Sequence, residues 1–267
     1  MDLTKLKHFD FGQLPGGQPS PDLASELVHL QHVGRTWTTH RPWSDNAAVI
    51  AGRIAQLAQA GALDPCRAGM VLTAGPEESE EMTARLQDFL PGLPIRNLTA
   101  DMRLGPGNSV RSRQAVSEEA AVRVITYRLF REAQQSFGAV QAWVTFLEQA
   151  ELLVEAEATR EVVKRLAHSS RSMHLFTTAG LLDHPVSTFH LASLLWLPDF
   201  PRDLMRFKAA FVRSTGCGAH EVMGWHPDHV EGLMGALDLH HHQRVEAPRL
   251  SGVRLLLPAS VGGPRGQ

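Results

Sequence analysis

Only two cysteines occur in the chain, Cys66 and Cys217. Two cannot build the multi-bridge framework of a small secreted domain, and a reducing compartment is expected. No apolar run reaches the roughly 20 residues that span a bilayer; SLLWLP, near Leu195, is far too short. The amino-terminal MDLTKLKHFDFGQLPGGQPSPD carries no apolar h-region, so no signal peptide is expected and a cytoplasmic location is. Charge of one sign is not in excess either. Lys and Arg number 26, Asp and Glu 28, and the formal net charge is -2. No global basic field draws such a chain to nucleic acid, and any contact of that kind needs a local patch.

What is present is ordinary globular material. Hydrophobic residues make up 43% and charged residues 20% of 267 positions, enough to bury a core without covalent staples. Residues 1–22, rich in Pro and Gly at their end, are expected to form a flexible arm, residues 23–257 a single α/β domain, and residues 258–267 a frayed tail. Within the domain, apolar runs and helical periods alternate. LVHLQHV (27–33) reads as a strand and GRTWTTHRPWSDN as a long loop. Asp45 or Asn46 caps a helix with Ile50, Ile54 and Leu57 on one face, ending near Gly61. GMVLTAG is a strand, PEESEEMTARLQDFLPG a helix with an acidic first turn, and PIRNL a strand. A loop centred on Gly105-Pro106-Gly107 follows, then a long helix capped by Ser117 with Val122, Ile125, Leu129 and Ala133 as its stripe. Strand Trp143–Leu147, helix Thr159–His168 and strand MHLFTTA come next. The last third reads as strand HLASLLWL, helix RDLMRFKAAFV, strand AHEVMGW, helix DHVEGLMGALDL and strand VRLLL, with LHHHQ as a solvated helix end. Such alternation predicts a doubly wound, mainly parallel sheet.

In folds of this class, function sits outside the carboxyl ends of the strands. Three such ends carry polar groups: Arg35, Thr36, Thr38 and Thr39 in the loop after Val33, then Glu148-Gln149, then Thr177-Thr178. The stretch AWVTFLEQAELLVEAEATREVVKRLAHSSRSMHLFTTAG resembles the Walker B to sensor region of the DNA-pumping ATPases, the FtsK- and HerA-type translocases and the coupling proteins of type IV secretion. The similarity extends over residues 28–197 and is specific only within 142–180. It implies a RecA-like P-loop fold, Glu148 and Gln149 at the Walker B position, Thr178 as a sensor and Arg171 as a trans-acting arginine. It further implies ATP and Mg²⁺ as the ligand class, an active ATPase subunit or further copies of the chain as partners, and a role in DNA translocation or transfer. The chain departs from the family at two places. The pattern G-x-x-x-x-G-K-[ST] is absent, so neither the backbone nest nor the lysine for the phosphates is supplied. Gln149 stands where the catalytic glutamate is expected, and a neutral amide is a poor base. The resemblance therefore implies an impaired, noncatalytic relative. Arg35, Thr36, Thr38 and Thr39 stay candidates for binding nucleotide in another way, with Trp37, His40 and Trp43 able to stack on a base or to pack as a lid.

Two further clusters give alternatives. Cys217, His220, His226 and His229 have ligand types and short spacings that suit zinc, which would make the protein a zinc-dependent enzyme or zinc-stabilised module. Arg111, Arg113, Arg128 and Arg131 could meet DNA phosphates, or form a solvated face balanced by Glu118, Glu119 and Glu132. A third reading is an α/β interaction scaffold without a ligand.

Overall fold

The computed structural model describes residues 21–40, 46–63, 67–102, 120–133, 142–178, 180, 184–197, 200–213 and 224–243. Seven strands form one sheet: β1 (Arg35–Thr39), β2 (Gly69–Thr73), β3 (Ile95–Asn97), β4 (Val122–Thr126), β5 (Val144–Leu147), β6 (Ser172–Thr177) and β7 (His241–Gln243). Their order is β3-β4-β2-β5-β6-β1-β7, and every neighbouring pair is parallel. The expected parallel α/β sheet is therefore present. Parallel neighbours need crossovers, which the helices provide. These are α1 (Pro21–His32), α2 (Asn46–Gln59), α3 (Pro76–Phe89), α4 (Leu98–Met102), α5 (Tyr127–Glu132), α6 (Glu157–Ser169), α7 (Pro185–Leu194), α8 (Leu204–Phe211) and α9 (Pro227–Asp238). No helix among the described residues is long and apolar enough to cross a membrane.

The sheet is buried on both faces, and strand side chains alternate between two cores. Val71, Val122, Val124, Val144, Phe146 and Phe176 pack beneath α1, α2 and α3. On the other face Met70, Leu72, Ile125, Leu147, Met173 and Leu175 meet the later helices, where Phe207 lies within 5.2 Å of Phe189 and 5.6 Å of Phe200 between ring centroids. This two-sided burial explains why GMVLT and VTFL read as continuous apolar runs.

Five sequence expectations are corrected. Residues 27–33 belong to helix α1, which Pro21 opens and which buries Leu23, Leu27 and Leu30 at helical spacing. The strand lies just beyond, in Arg35–Thr39, within the stretch expected to be a loop. Its polar spelling hides its burial. Thr36 Oγ1 is 2.8 Å from His174 Nδ1, and Thr38 Oγ1 donates to Glu26 Oε1 at 3.1 Å, so both buried hydroxyls are satisfied. Val122–Thr126 is a fully buried strand rather than part of a long helix. Its β-branched residues alternate between the two cores, and Thr126 accepts from Leu129 N to cap the short α5. HLASLLWL falls mainly in helix α7, opened by Pro185, and LHHHQ ends in strand β7 beside β1. Ser117 and the strand expected at VRLLL lie outside the described residues, as do the 1–20 part of the arm and the tail.

Candidate functional site

The sheet brings the carboxyl ends of β1, β6 and β5 side by side, with β6 in the middle. Past the end of β1, His40 N donates to Thr177 O at 2.9 Å; past the end of β5, Glu148 N donates to Leu72 O at 2.9 Å. Asn46, the first residue of α2, faces both. Its Nδ2 donates to Glu148 Oε2 at 2.9 Å and lies 3.0 Å from His40 Nε2. Both amide hydrogens are thereby used, so the network assigns His40 Nε2 as an acceptor. Asn46 is 4% exposed. The first turn of α2 contains no acidic residue, and the Glu148 carboxylate supplies the negative charge that a helix amino terminus favours.

Around this trio the chain adds a second layer. The Tyr127 hydroxyl donates to the Glu148 carbonyl at 2.8 Å. Burial, then the nearby Glu148 and Glu151 carboxylates, push the Tyr127 phenol well above its ordinary range, so it acts as a donor. Glu151, on the 3-10 turn Ala150–Leu153, accepts from Thr178 Oγ1 at 2.7 Å and from Thr178 N at 3.2 Å. Thr177 is the buried residue at the end of β6, and its hydroxyl accepts from Trp37 Nε1 at 2.7 Å.

Gln149 adopts a left-handed backbone, φ 47° and ψ 48°, immediately after β5. That conformation costs a residue with a Cβ about 1–2 kcal/mol, and such strain collects at functional sites. Gln149→Gly is expected to raise stability by about 0.5–1 kcal/mol, seen as a higher melting temperature. An unchanged or lowered value would mean that the amide side chain compensates for the strain.

Of the residues singled out from the sequence, Glu148, Gln149 and Thr178 share this end of the sheet. Arg171 does not: it precedes β6, at the opposite edge, and is exposed. Arg35, Thr36, Thr38 and Thr39 belong to β1. The Arg35 guanidinium binds the carbonyls of Ala167 and Ser170, and Thr39 Oγ1 is 3.0 Å from His241 Nε2. With Thr36 and Thr38 held as described above, these four hold secondary structure together. The connection from strand to helix is instead residues 40–45, of which 41–45 lie outside the described residues. Of the zinc candidates, His226 and His229 stack at 4.3 Å at the start of α9, and His229 Nδ1 is 2.6 Å from Ala210 O. Cys217 and His220 lie outside the described residues, among which no group of three or more His, Cys, Asp or Glu side chains could hold a metal. Arg111 and Arg113 are also outside them, while Arg128 and Arg131 both face Glu132, at 2.9 and 3.8 Å.

Sequence reasoning missed Tyr127 and Glu151, and took Asn46 only as a cap. The one available signal was the E-x-x-E spacing of Glu148 and Glu151 past an apolar strand. Compared with known proteins, the chain matches no protein-family model and no curated protein sequence.

Proposed function

We propose that this chain is a noncatalytic relative of the RecA-like P-loop NTPases, acting as a subunit or regulator in DNA translocation or transfer rather than as a hydrolase. The observation that carries this reading is the 2.9 Å hydrogen bond between Asn46 and Glu148. In a P-loop NTPase, a Ser or Thr of the phosphate loop and a carboxylate of the Walker B strand hold Mg²⁺ between them. Here the helix that follows β1 begins with Asn46, and the carboxylate follows β5. One amide hydrogen of Asn46 takes the place of the cation at Glu148 Oε2. The Glu148 charge at the head of α2 also opposes a phosphate there, since two anions would compete for one helix terminus. With Gln149 as a neutral neighbour and no phosphate-loop lysine, neither water activation nor phosphate neutralisation is provided. The protein then works through contacts with other macromolecules.

Calorimetric titration of the full chain with ATP and Mg²⁺, paired with a phosphate-release assay, tests this. The expected result is no saturable uptake and no turnover, in the wild type and in Gln149→Glu alike. Mg²⁺-dependent turnover that Glu148→Ala abolishes would overturn the proposal.

A further inference from the structure

The opposite edge of the sheet carries a different chemistry. Arg67, Trp143, Arg171 and Arg35 stand at or just before the amino ends of β2, β5, β6 and β1, four neighbouring strands. With adjacent strands about 4.8 Å apart, this row extends over roughly 14 Å. Two guanidinium groups lie on the half-buried Trp143 ring, Arg171 at 5.2 Å and Arg67 at 5.7 Å from its centroid. The row continues through the end of α6. Arg35 binds the carbonyls of Ala167 and Ser170, which flank His168, and His168 packs on Trp196 at 4.6 Å. Arg202 lies 4.4 Å over the same indole. Burial and the nearness of Arg202 both lower the Arg35 guanidinium, which places Arg202 beside the row.

Arg35, Arg171 and Arg202 make no ion pair with a carboxylate among the described residues. Arg67, Arg171, Arg202 and Trp196 are exposed. Carboxylates gather instead at the carboxyl edge, where Glu148 and Glu151 follow β5 and Glu77 and Glu78 open the helix after β2. Trp196 also holds a left-handed backbone, φ 51°, in the turn after α7, which keeps a large apolar ring at the surface among cations.

We infer that this Arg–Trp edge is a binding surface for single-stranded nucleic acid. Arg171 and Arg202, exposed and without an ion pair to a carboxylate among the described residues, meet backbone phosphates. A guanidinium over an indole presents an outer face to an unpaired base, and the exposed part of the Trp196 ring presents a stacking surface. A duplex hides the faces of its bases and would use only the charges. This goes beyond the noncatalytic reading of the carboxyl edge and does not depend on it.

The test is fluorescence anisotropy of a labelled single-stranded oligothymidylate titrated with the full chain across a salt series. Saturable binding is expected, with log affinity falling linearly as log salt rises. Arg171→Ala and Arg202→Ala should each reduce that slope by about 0.7, the value for one phosphate contact on a single strand. Trp196→Ala should weaken binding at least about fivefold through lost stacking. Arg128→Ala, on a helix paired with Glu132, serves as the control and should change nothing. Circular dichroism of each variant separates lost binding from lost folding. Absence of binding at low salt overturns the inference, as does an equal effect of all four variants. Tighter binding to a duplex or to polyglutamate also overturns it, and assigns the face to a charge-only or an acidic-protein partner.

Discussion

Acidification from pH 7.5 to pH 5 is expected to lower the melting temperature by at least about 5 °C. Four histidines carry this effect. His174 in β6 is fully buried, and desolvation, then Arg53, His29 and Arg35, hold it well below its ordinary range. His29 and His241 are lowered chiefly by burial and next by His242, with Glu26 and Asp238 respectively opposing the shift. His190 on α7 is lowered to about 4 by burial, then by Arg160 and Lys164. All four shifts have the same sign. Below about pH 6.5 the unfolded chain binds protons that the folded chain refuses, so stability is complete above that value and falls as pH drops toward the folded values. For His190 the fall runs from 6.5 to about 4. Because that ring is only half-buried, solvent screening leaves about 1 kcal/mol of the nominal effect by pH 5, or roughly 2–4 °C in a domain of this size. The other three add in the same direction. Thermal unfolding followed at pH 7.5, 6 and 5 checks the prediction, and His190→Asn should flatten the curve in part. A melting temperature independent of pH over that range would refute the buried-neutral assignment.

The same burial decided which parts of the molecule could be read from its sequence. Strands β2, β5 and β6 were legible because both of their faces are buried, which concentrates apolar residues such as Met70-Val71-Leu72, Phe146-Leu147 and Leu175-Phe176 in short runs. Helices α3 and α6 were legible because acidic first turns and a helical period coincide. Strand β1 was not, because its inward hydroxyls are matched by Glu26 and His174, the latter 138 residues from Thr36. A threonine destined for a buried partner is spelled like a threonine in a loop. Strand β4 was masked by Glu118 and Glu119, which mimic a helix start ahead of Val122. At the candidate site the Glu148-Gln149 pair stood out locally. Its decisive partner did not, since Asn46 lies 102 residues from Glu148. The Arg–Trp edge was invisible for the same reason: its members come from five separate segments that only the strand order aligns.

Asn46→Asp should produce the largest change at the carboxyl edge, and in two opposite directions. The substitution exchanges a donor for an acceptor at almost constant volume. It sets a carboxylate against Glu148 Oε2, where Nδ2 now sits at 2.9 Å, at a position only 4% exposed. Two such carboxylates cannot both ionise without a proton or a cation between them. In the presence of a chelator at pH 8, where free imidazoles are neutral, the variant should lose about 3 kcal/mol, or roughly 6–12 °C. Paired carboxylates are hard oxygen ligands, so Mg²⁺ or Mn²⁺ should then bind and restore most of the loss. Mass action gives about 2.7 kcal/mol when the ion is at one hundred times its dissociation constant. The wild type should not respond to the ion, because the amide already occupies Glu148 Oε2 and offers no second carboxylate to a cation. Asn46→Ala should be destabilised without gaining any response, which separates loss of the hydrogen bond from creation of a cation site. The readout is the melting temperature of the three proteins with and without divalent ion. An Asn46→Asp variant indifferent to metal would show that the head of α2 and the end of β5 are not spaced to hold a cation. A wild type stabilised by Mg²⁺ as strongly as the variant would show that the Asn46 amide does not stand in the cation's place, and the noncatalytic reading would fall with it.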